Sequence, residues 1–338
     1  VTTPAWYRVG RWYAIFCVAL IVAVLVGLVV GEVSIPPAEA WRAFLGRFGL
    51  GEGSDVEAVF WSIRMPRIVA GVLVGAALGA AGAALQGVYR NPMADPYLLG
   101  ISSAAGLGVV VGIALTPAGG VPVLTMAVAA AAGAAFTLFT RRVSRVTVDP
   151  ARFILVGVAL GIALLAWTVM FVFIWDSPRL PTFAYFVFGS LGAITWKAVW
   201  GALPFLLGGL ALVAIFTREL DLLALGDREA RHLGVSVRRV VAAVLAGAGI
   251  AVGASVGLAG VIGFVGLLAP FVVRRWVGPS HRNLLPASAL VGATAVVAAD
   301  VLARLVAGPV EVPIGIVTAA FGGPILVWML VRTRGTTT

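Results

Sequence analysis

The chain has 338 residues, 61% of them hydrophobic and 11% charged, with a mean hydropathy of +1.07. Soluble domains carry roughly 25% charged residues, so this composition specifies an integral membrane protein. The net charge of +10 then reports topology, with Arg and Lys gathered on the cytoplasmic side, rather than binding of nucleic acid, and a single cysteine, Cys17, excludes a disulfide framework.

A spanning helix needs about 20 mostly apolar residues. Ten such segments follow in chain order: 12–31, 67–88, 98–116, 120–140, 153–175, 197–216, 239–258, 260–277, 285–303 and 314–332. The first follows Arg8 and Arg11 and could pass for a signal peptide. It is long enough to span and lacks a small-x-small cleavage site before Glu32, so a retained first span is expected. Segments 98–116 and 260–277 are short and rich in glycine. Fragments 35–48 and 181–193 are expected to be short surface or re-entrant pieces. The predicted fold is an all-α membrane protein with about ten transmembrane helices, residues 1–338 forming one transmembrane domain.

Even span number and the distribution of basic residues give the orientation. With the N-terminus inside, one face holds seventeen arginines, and the other holds seven basic residues: Arg42, Arg47, Arg64, Arg67, Arg179, Lys197 and Arg304. Both termini are therefore expected in the cytoplasm. The same face holds the most polar stretch of the chain, Arg218–Arg239, with nine charged residues within 22. A span needs no such island, so it reads as a handle for a partner outside the membrane. Small residues recur at four-residue spacing at Gly71, Gly75, Gly79, Ala83 and Gly87, and again at Gly249, Gly253 and Gly257. Such faces serve close helix packing, the lining of a wide pathway being the alternative.

Several chemistries are excluded. The single lysine, Lys197, follows Trp196, so no Gly-Lys-Ser/Thr phosphate loop exists and the chain has no ATPase site of its own. The two histidines, His232 and His281, fall in predicted cytoplasmic loops, which leaves no soft-metal site within the bilayer and no nucleophile–base pair for hydrolysis. Asp300 is the main intramembrane acid, four residues before Arg304, and is expected to pair with it near the outer end. Ion-coupled carriers use ionisable sites near mid-membrane, so this scarcity counts against a secondary carrier acting alone, the alternative reading.

Two constellations remain. Arg64-Met-Pro-Arg67 and Arg304 place three arginines on the outer face, for headgroup anchoring, local pairing or docking of an acidic partner. After the second span, Gln86 to Gly100 contains Pro92 and Pro96, which end the helix. Asn91 and Asp95 can cap the backbone groups freed there, in an ordinary turn or a constriction at the inner mouth of a pathway.

These residues resemble the permease subunits of type II ATP-binding-cassette importers, which take up iron–siderophore complexes, haem and cobalamin. The resemblance covers nearly the whole chain. It is carried by Arg64-Met-Pro-Arg67, by Arg90-Asn-Pro-Met-Ala-Asp-Pro-Tyr-Leu-Leu-Gly-Ile-Ser102, by Gly189-Ser-Leu191 and by Leu225-Gly-Asp-Arg-Glu-Ala-Arg-His-Leu-Gly-Val235. Gly263-Phe-Val-Gly-Leu-Leu-Ala-Pro270, His281-Arg-Asn-Leu-Leu-Pro286 and the segment from Asp300 to Gly315 continue it. It implies that 218–239 is a coupling segment for a separate ATPase, with Gly226 and Gly234 bracketing a short helix of Asp227, Arg228, Glu229, Ala230, Arg231, His232 and Leu233. It implies that Arg64, Arg67 and Arg304 meet an external, periplasmic substrate-binding protein. Asn91 and Met93 match a cytoplasmic gate, and Asp149 and Arg152 fall where a second gate strand would lie.

The implied assembly is a two-fold homodimer in the bacterial inner membrane. Its pathway is flanked by the fifth and tenth spans, ATP and Mg sit on the partner ATPase, and no cofactor is bound by this chain. Two positions depart from the family pattern: Phe271 stands where a histidine is usual, which puts any role of that position in doubt, and Met93 stands where leucine is common, a nearly volume-neutral change. The residues themselves do not separate siderophore, haem and cobalamin as cargo.

Overall fold

The computed structural model describes residues 5–31, 35–47, 55–115, 122–144, 150–174, 187–307 and 312–333, and among these all regular structure is helical. In chain order the helices are α1 (Ala5–Val29), α2 (Pro37–Gly46), α3 (Asp55–Val59), α4 (Met65–Tyr89), α5 (Ile101–Ala114), α6 (Pro122–Ser144) and α7 (Pro150–Ile174). They continue with α8 (Trp196–Ala214), α9 (Thr217–Leu223), α10 (Asp227–His232), α11 (Val237–Ala259), α12 (Val265–Val277), α13 (His281–Ala307) and α14 (Ile314–Thr333). Each of the ten predicted spans overlaps one of these helices, and seven described helices are long and apolar enough to cross a membrane. The surface fragment 35–48 contains α2. Of 181–193 only residues from 187 onward fall among those described, and these are mostly irregular.

The second span begins earlier than its apolar run suggests. α3 passes through a π-helical turn, Phe60–Arg64, directly into α4. Pro66 cannot donate a backbone hydrogen bond, and a widened turn just before it, in which the Met65 N–H reaches the Phe60 carbonyl, keeps the helix continuous. Arg64 thus sits within a helix rather than ahead of one.

α4 is the central post. Of its most apolar stretch 78% is buried, against 11% for α1 and 17% for α7. It packs against α13, α11 and α12. The glycine faces are seams between helices, as packing requires. A Cβ at Gly75 or Gly79 would run into the backbone carbonyl of Gly292 or Ser288 on α13, and one at Gly249 or Gly253 would meet α6 at Ala134 or Ala130. Without side chains in the way, backbones approach closely and gain dispersion contacts that lipid cannot supply.

The two short predicted spans are half-helices. α5 and α12 have 14 and 13 residues, or about 20 Å at 1.5 Å per residue, less than a bilayer core of about 30 Å. Both start inside the bundle from irregular chain. Gly100 (φ 79°), Gly260 (φ 71°) and Phe264 (φ 67°) turn the backbone there, and Gly266 abuts the Leu78 carbonyl halfway along α4. Irregular backbone at such depth is tolerated where protein buries it or a cavity hydrates it.

Candidate functional site: a coupling face, a mid-bundle cleft and an arginine cluster

At one end of the bundle the charged island folds as two short helices. α9 is anchored by buried Leu220 and Leu223, and α10 by Ala230, fully buried. The bracketing predicted for α10 is present. Gly226 enters at φ 120°, and Gly234 leaves at φ 84°. The Gly234 N–H reaches the Arg231 carbonyl (3.0 Å) and the Val235 N–H reaches that of Ala230 (2.9 Å), the paired bonds of a glycine-terminated helix end. Asp227 and Glu229 lie in the first turn and Arg231 and His232 in the last, matching the helix dipole. With Ala230 as its root, α10 exposes Asp227, Arg228, Glu229, Arg231, His232 and Leu233. Leu225 and Leu233 are 62% and 59% exposed. Two bare leucines framing a charged helix make a mixed surface suited to a protein partner.

The island is tied to the loop after α4. Arg90, itself left-handed (φ 49°) at the end of α4, pairs with Asp227 at 2.9 Å. Next to it, the Asn91 side chain accepts the Met93 N–H (2.9 Å), so Asn91 braces the turn and Met93 is half-buried. Asp149 lies outside the described residues, and Arg152 belongs to the first turn of α7.

Farther along this loop, Asp95 is 1% exposed. Its carboxylate accepts the N–H groups of Tyr97 (2.8 Å) and Leu98 (3.3 Å) and that of Leu267 in the first turn of α12. One acid therefore braces the approach to α5 and caps α12 from a distant segment, satisfying donors that a helix start leaves open. Burial pushes its pKa up to about 6 against the opposing pull of these donors.

The two irregular entries meet at an open side of the bundle, where Tyr97 and Phe188 are exposed. The rings of Tyr97 and Phe264 are 5.8 Å apart. Around them open two adjoining clefts of about 300 and 390 Å³, which share Tyr97, Val187, Phe188 and Val261. α7 contributes Val158, Gly161, Ile162 and Leu165 to one, and α14 contributes Gly315, Ile316, Ala319 and Ala320 to the other. Gly189 holds Phe188 in place. Its φ of 69° is left-handed, and a Cβ would lie 2.6 Å from the Val261 carbonyl oxygen. Its own carbonyl accepts the Ile314 N–H at the start of α14 (2.8 Å). The lining is apolar apart from a few hydroxyls, and that of Thr168 is turned back to the Leu164 carbonyl (2.8 Å).

At the opposite end the structure brings the three predicted arginines together, Arg67 and Arg304 on Asp300 and Arg64 on the end of α1. Arg67 Nε and a terminal guanidinium nitrogen reach Asp300 at 2.9 Å, and Arg304 reaches its other oxygen at 3.0 Å. Arg64 donates to the carbonyls of Leu28 and Val29, and Arg304 to those of Gly27 and Val30. These are the end carbonyls of α1, the negative pole of its dipole. One helix end and one acid thus share the positive charge. Side-chain exposure is 11% at Arg67 and 7% at Arg304, so the expected pairing of Asp300 with Arg304 is present and the cluster faces inward. Sequence reasoning missed this role of the α1 carbonyls, because backbone acceptors leave no trace in residue identity.

Comparison with known proteins follows the same lines. The family model of the FecCD transport family matches residues 19–332. The chain belongs to the FecCD transport family. It is 39% identical over 332 residues to the vitamin B12 import system permease protein BtuC of Klebsiella pneumoniae, covering 97% of this chain and 96% of that one. Against BtuC of Escherichia coli O9:H4 it is 38% identical over 328 residues, 96% of each chain. A solved structure described as an inward-facing conformation of a metal-chelate type ABC transporter superposes with a TM-score of 0.78 at 26% identity, covering 96% of this chain and 99% of that one. PsaBC from Streptococcus pneumoniae shares the fold, with a TM-score of 0.53 at 14% identity over 77% and 88% of the two chains. The chain is thus a multi-pass membrane transport subunit.

Proposed function

We propose that this FecCD member is the membrane permease of an importer driven by a separate ATPase, and that it works as a two-fold dimer in the inner membrane with both termini in the cytoplasm. Cargo would come from an external binding protein at the arginine end and pass the apolar cleft at Tyr97, Phe188 and Phe264. The observation that carries this reading is α10. It is a charged helix rooted by one alanine, framed by exposed leucines and bonded through Asp227 to the loop that leads to the cleft. ATP binding would close the ATPase pair, shift α10, and change which end of the pathway is open, a population shift driven by nucleotide. Asn91, Met93, Asp149 and Arg152 would form the inner gate.

The cargo we assign is cobalamin or a related corrinoid, on the strength of the vitamin B12 import relatives. The nearly non-polar cleft suits bulky cargo moved without tight binding, so selectivity would rest with the binding protein. Docking there would use the surface that the buried arginines hold in shape, since Arg67 and Arg304 already spend most of their donors within the subunit.

The test is reconstitution with the partner ATPase. Arg228→Glu with Arg231→Glu should abolish ATPase recruitment and ATP-driven uptake while leaving the permease folded. Unchanged recruitment and uptake would refute the coupling role. Ion-driven uptake by the permease alone would support the secondary-carrier reading instead. Binding of a ferric siderophore or haem, but not cobalamin, by the cognate binding protein would replace the cargo assignment.

A further inference from the structure

α9 lies beside the exposed coupling helix but presents no predicted site residue. Its Asp221 is turned toward α13. One carboxylate oxygen accepts the His281 backbone N–H (2.7 Å) and the ring Nδ1–H (2.6 Å), and the other accepts the Ser280 hydroxyl (2.8 Å). A single side chain from the island thus caps the first turn of a 27-residue helix and grips its first side chain. His281 is 5% exposed. Its Nε2 edge is pressed against Gly87 of α4, where a Cβ would overlap the ring, and this nitrogen has no hydrogen-bond partner among the described residues. The ring is fixed from both sides, by the acid and by the glycine.

What Asp221 grips is closely packed. α13 runs along α4 through Gly75, Gly79 and Gly292 with backbone against backbone. Asp300, on the same helix, lies 19 residues beyond His281, about 28 Å away at 1.5 Å per residue. There it holds Arg67 of α4 and Arg304. The pair α4–α13 is therefore a beam fastened at one end by the island's Asp221 and at the other by the Asp300 cluster.

We propose that Asp221 is the positioning residue that joins the coupling segment to this beam, so that movement at the ATPase face is transmitted through His281 and α13 to the arginine end, and docking at that end is transmitted back. This rests on the importer reading above. Two packed helices with fastened ends move as a unit, and coupling between distant sites needs such an element. Arg90–Asp227 is an exposed pair, side chains 46% and 50% accessible, and ties α10 to the loop after α4 rather than to α13. The Asp221 joint has three bonds and a buried ring.

The experiment uses the permease–ATPase complex in liposomes, with binding protein loaded with cyanocobalamin. Two quantities are read: cargo imported per ATP hydrolysed, and stimulation of ATP hydrolysis by loaded binding protein from the opposite face. Asp221→Ala should assemble with the ATPase and lose about fivefold or more in both. Asp221→Asn keeps an oxygen for both His281 donors and should restore them. A merely structural residue would change the yield or thermal stability of the complex and leave both ratios intact, and unchanged ratios in Asp221→Ala would overturn the proposal. If that variant does not assemble, His281→Ala decides: reduced ratios support the joint and unchanged ratios overturn it. A wild-type complex that imports nothing with ATP would refute the importer reading itself, whereas equal import per ATP by wild type and variant refutes only the joint.

Discussion

Two buried acids, Asp95 and Asp300, show how environment sets what a carboxylate does. Asp300 is 1% exposed at its side chain and held by two guanidinium groups, so removing it strands charges that cannot reach water. Breaking one side of a buried pair is strongly destabilising. Asp300→Ala should therefore lower stability in detergent by about 3–5 kcal/mol, read from chemical or thermal unfolding, whereas a loss under 1 kcal/mol would mean that water replaces the acid. Asp95 faces backbone N–H groups and no described cation, and its pKa is pushed up to about 6. A carboxyl that binds its proton more tightly when folded contributes stability fully below about pH 4, and that contribution is lost as pH rises through 6. The melting temperature of Asp95→Asn minus that of wild type should thus become more positive between pH 5 and pH 7. A flat difference across that window would show that the group does not titrate there.

Among the elements, the glycine seams and the half-helices set the architecture. Gly79 faces a backbone carbonyl on α13, while Gly208 on α8 has open space where a Cβ would go. Gly79→Val should force α4 and α13 apart and abolish recovery of folded protein, since neither helix can shift without its neighbours. Gly208→Val should leave yield nearly unchanged, and equal yields would show that the seam is soft. The ten helices were legible because lipid demands long apolar runs, and α10 was legible through the family resemblance, which implied a short helix between Gly226 and Gly234. The starts of α5 and α12 were not. Residues 98–100 and 260–264 are as apolar as the helices they precede, and only the left-handed backbone at Gly100, Gly260 and Phe264 marks the break. The Asp221–His281 bond was hidden for a different reason. It joins positions 60 apart in sequence, and no periodicity reports such a pair. Phe271, the departure from the family pattern, is half-buried in α12 just after Pro270.

In the whole molecule, α1, α7 and α14 all expose large apolar side chains, so exposure alone does not tell lipid from a partner. Ile162 is 64% exposed, Phe321 61% and Val22 53%. The cleft separates them. α7 and α14 line it on either side of Tyr97 and Phe188, whereas α1 packs against α13 at the periphery. A two-fold axis beside the cleft would close it between two copies and turn a surface groove into a pathway, and closed two-fold symmetry is the commonest arrangement of homo-oligomers. The single cysteine makes this testable, since Cys17→Ser gives a cysteine-free background. In that background a cysteine at Phe321 or Ile162, treated with a short bifunctional thiol reagent in membranes, should yield a species of twice 34.8 kDa. A cysteine at Val22 should yield monomer only. Because ATP is proposed to change which end of the pathway is open, the yield at Phe321 should also change when the partner ATPase is trapped with nucleotide. Equal cross-linking at all three positions, or at Val22 alone, would move the dimer interface away from the cleft and leave the groove facing lipid.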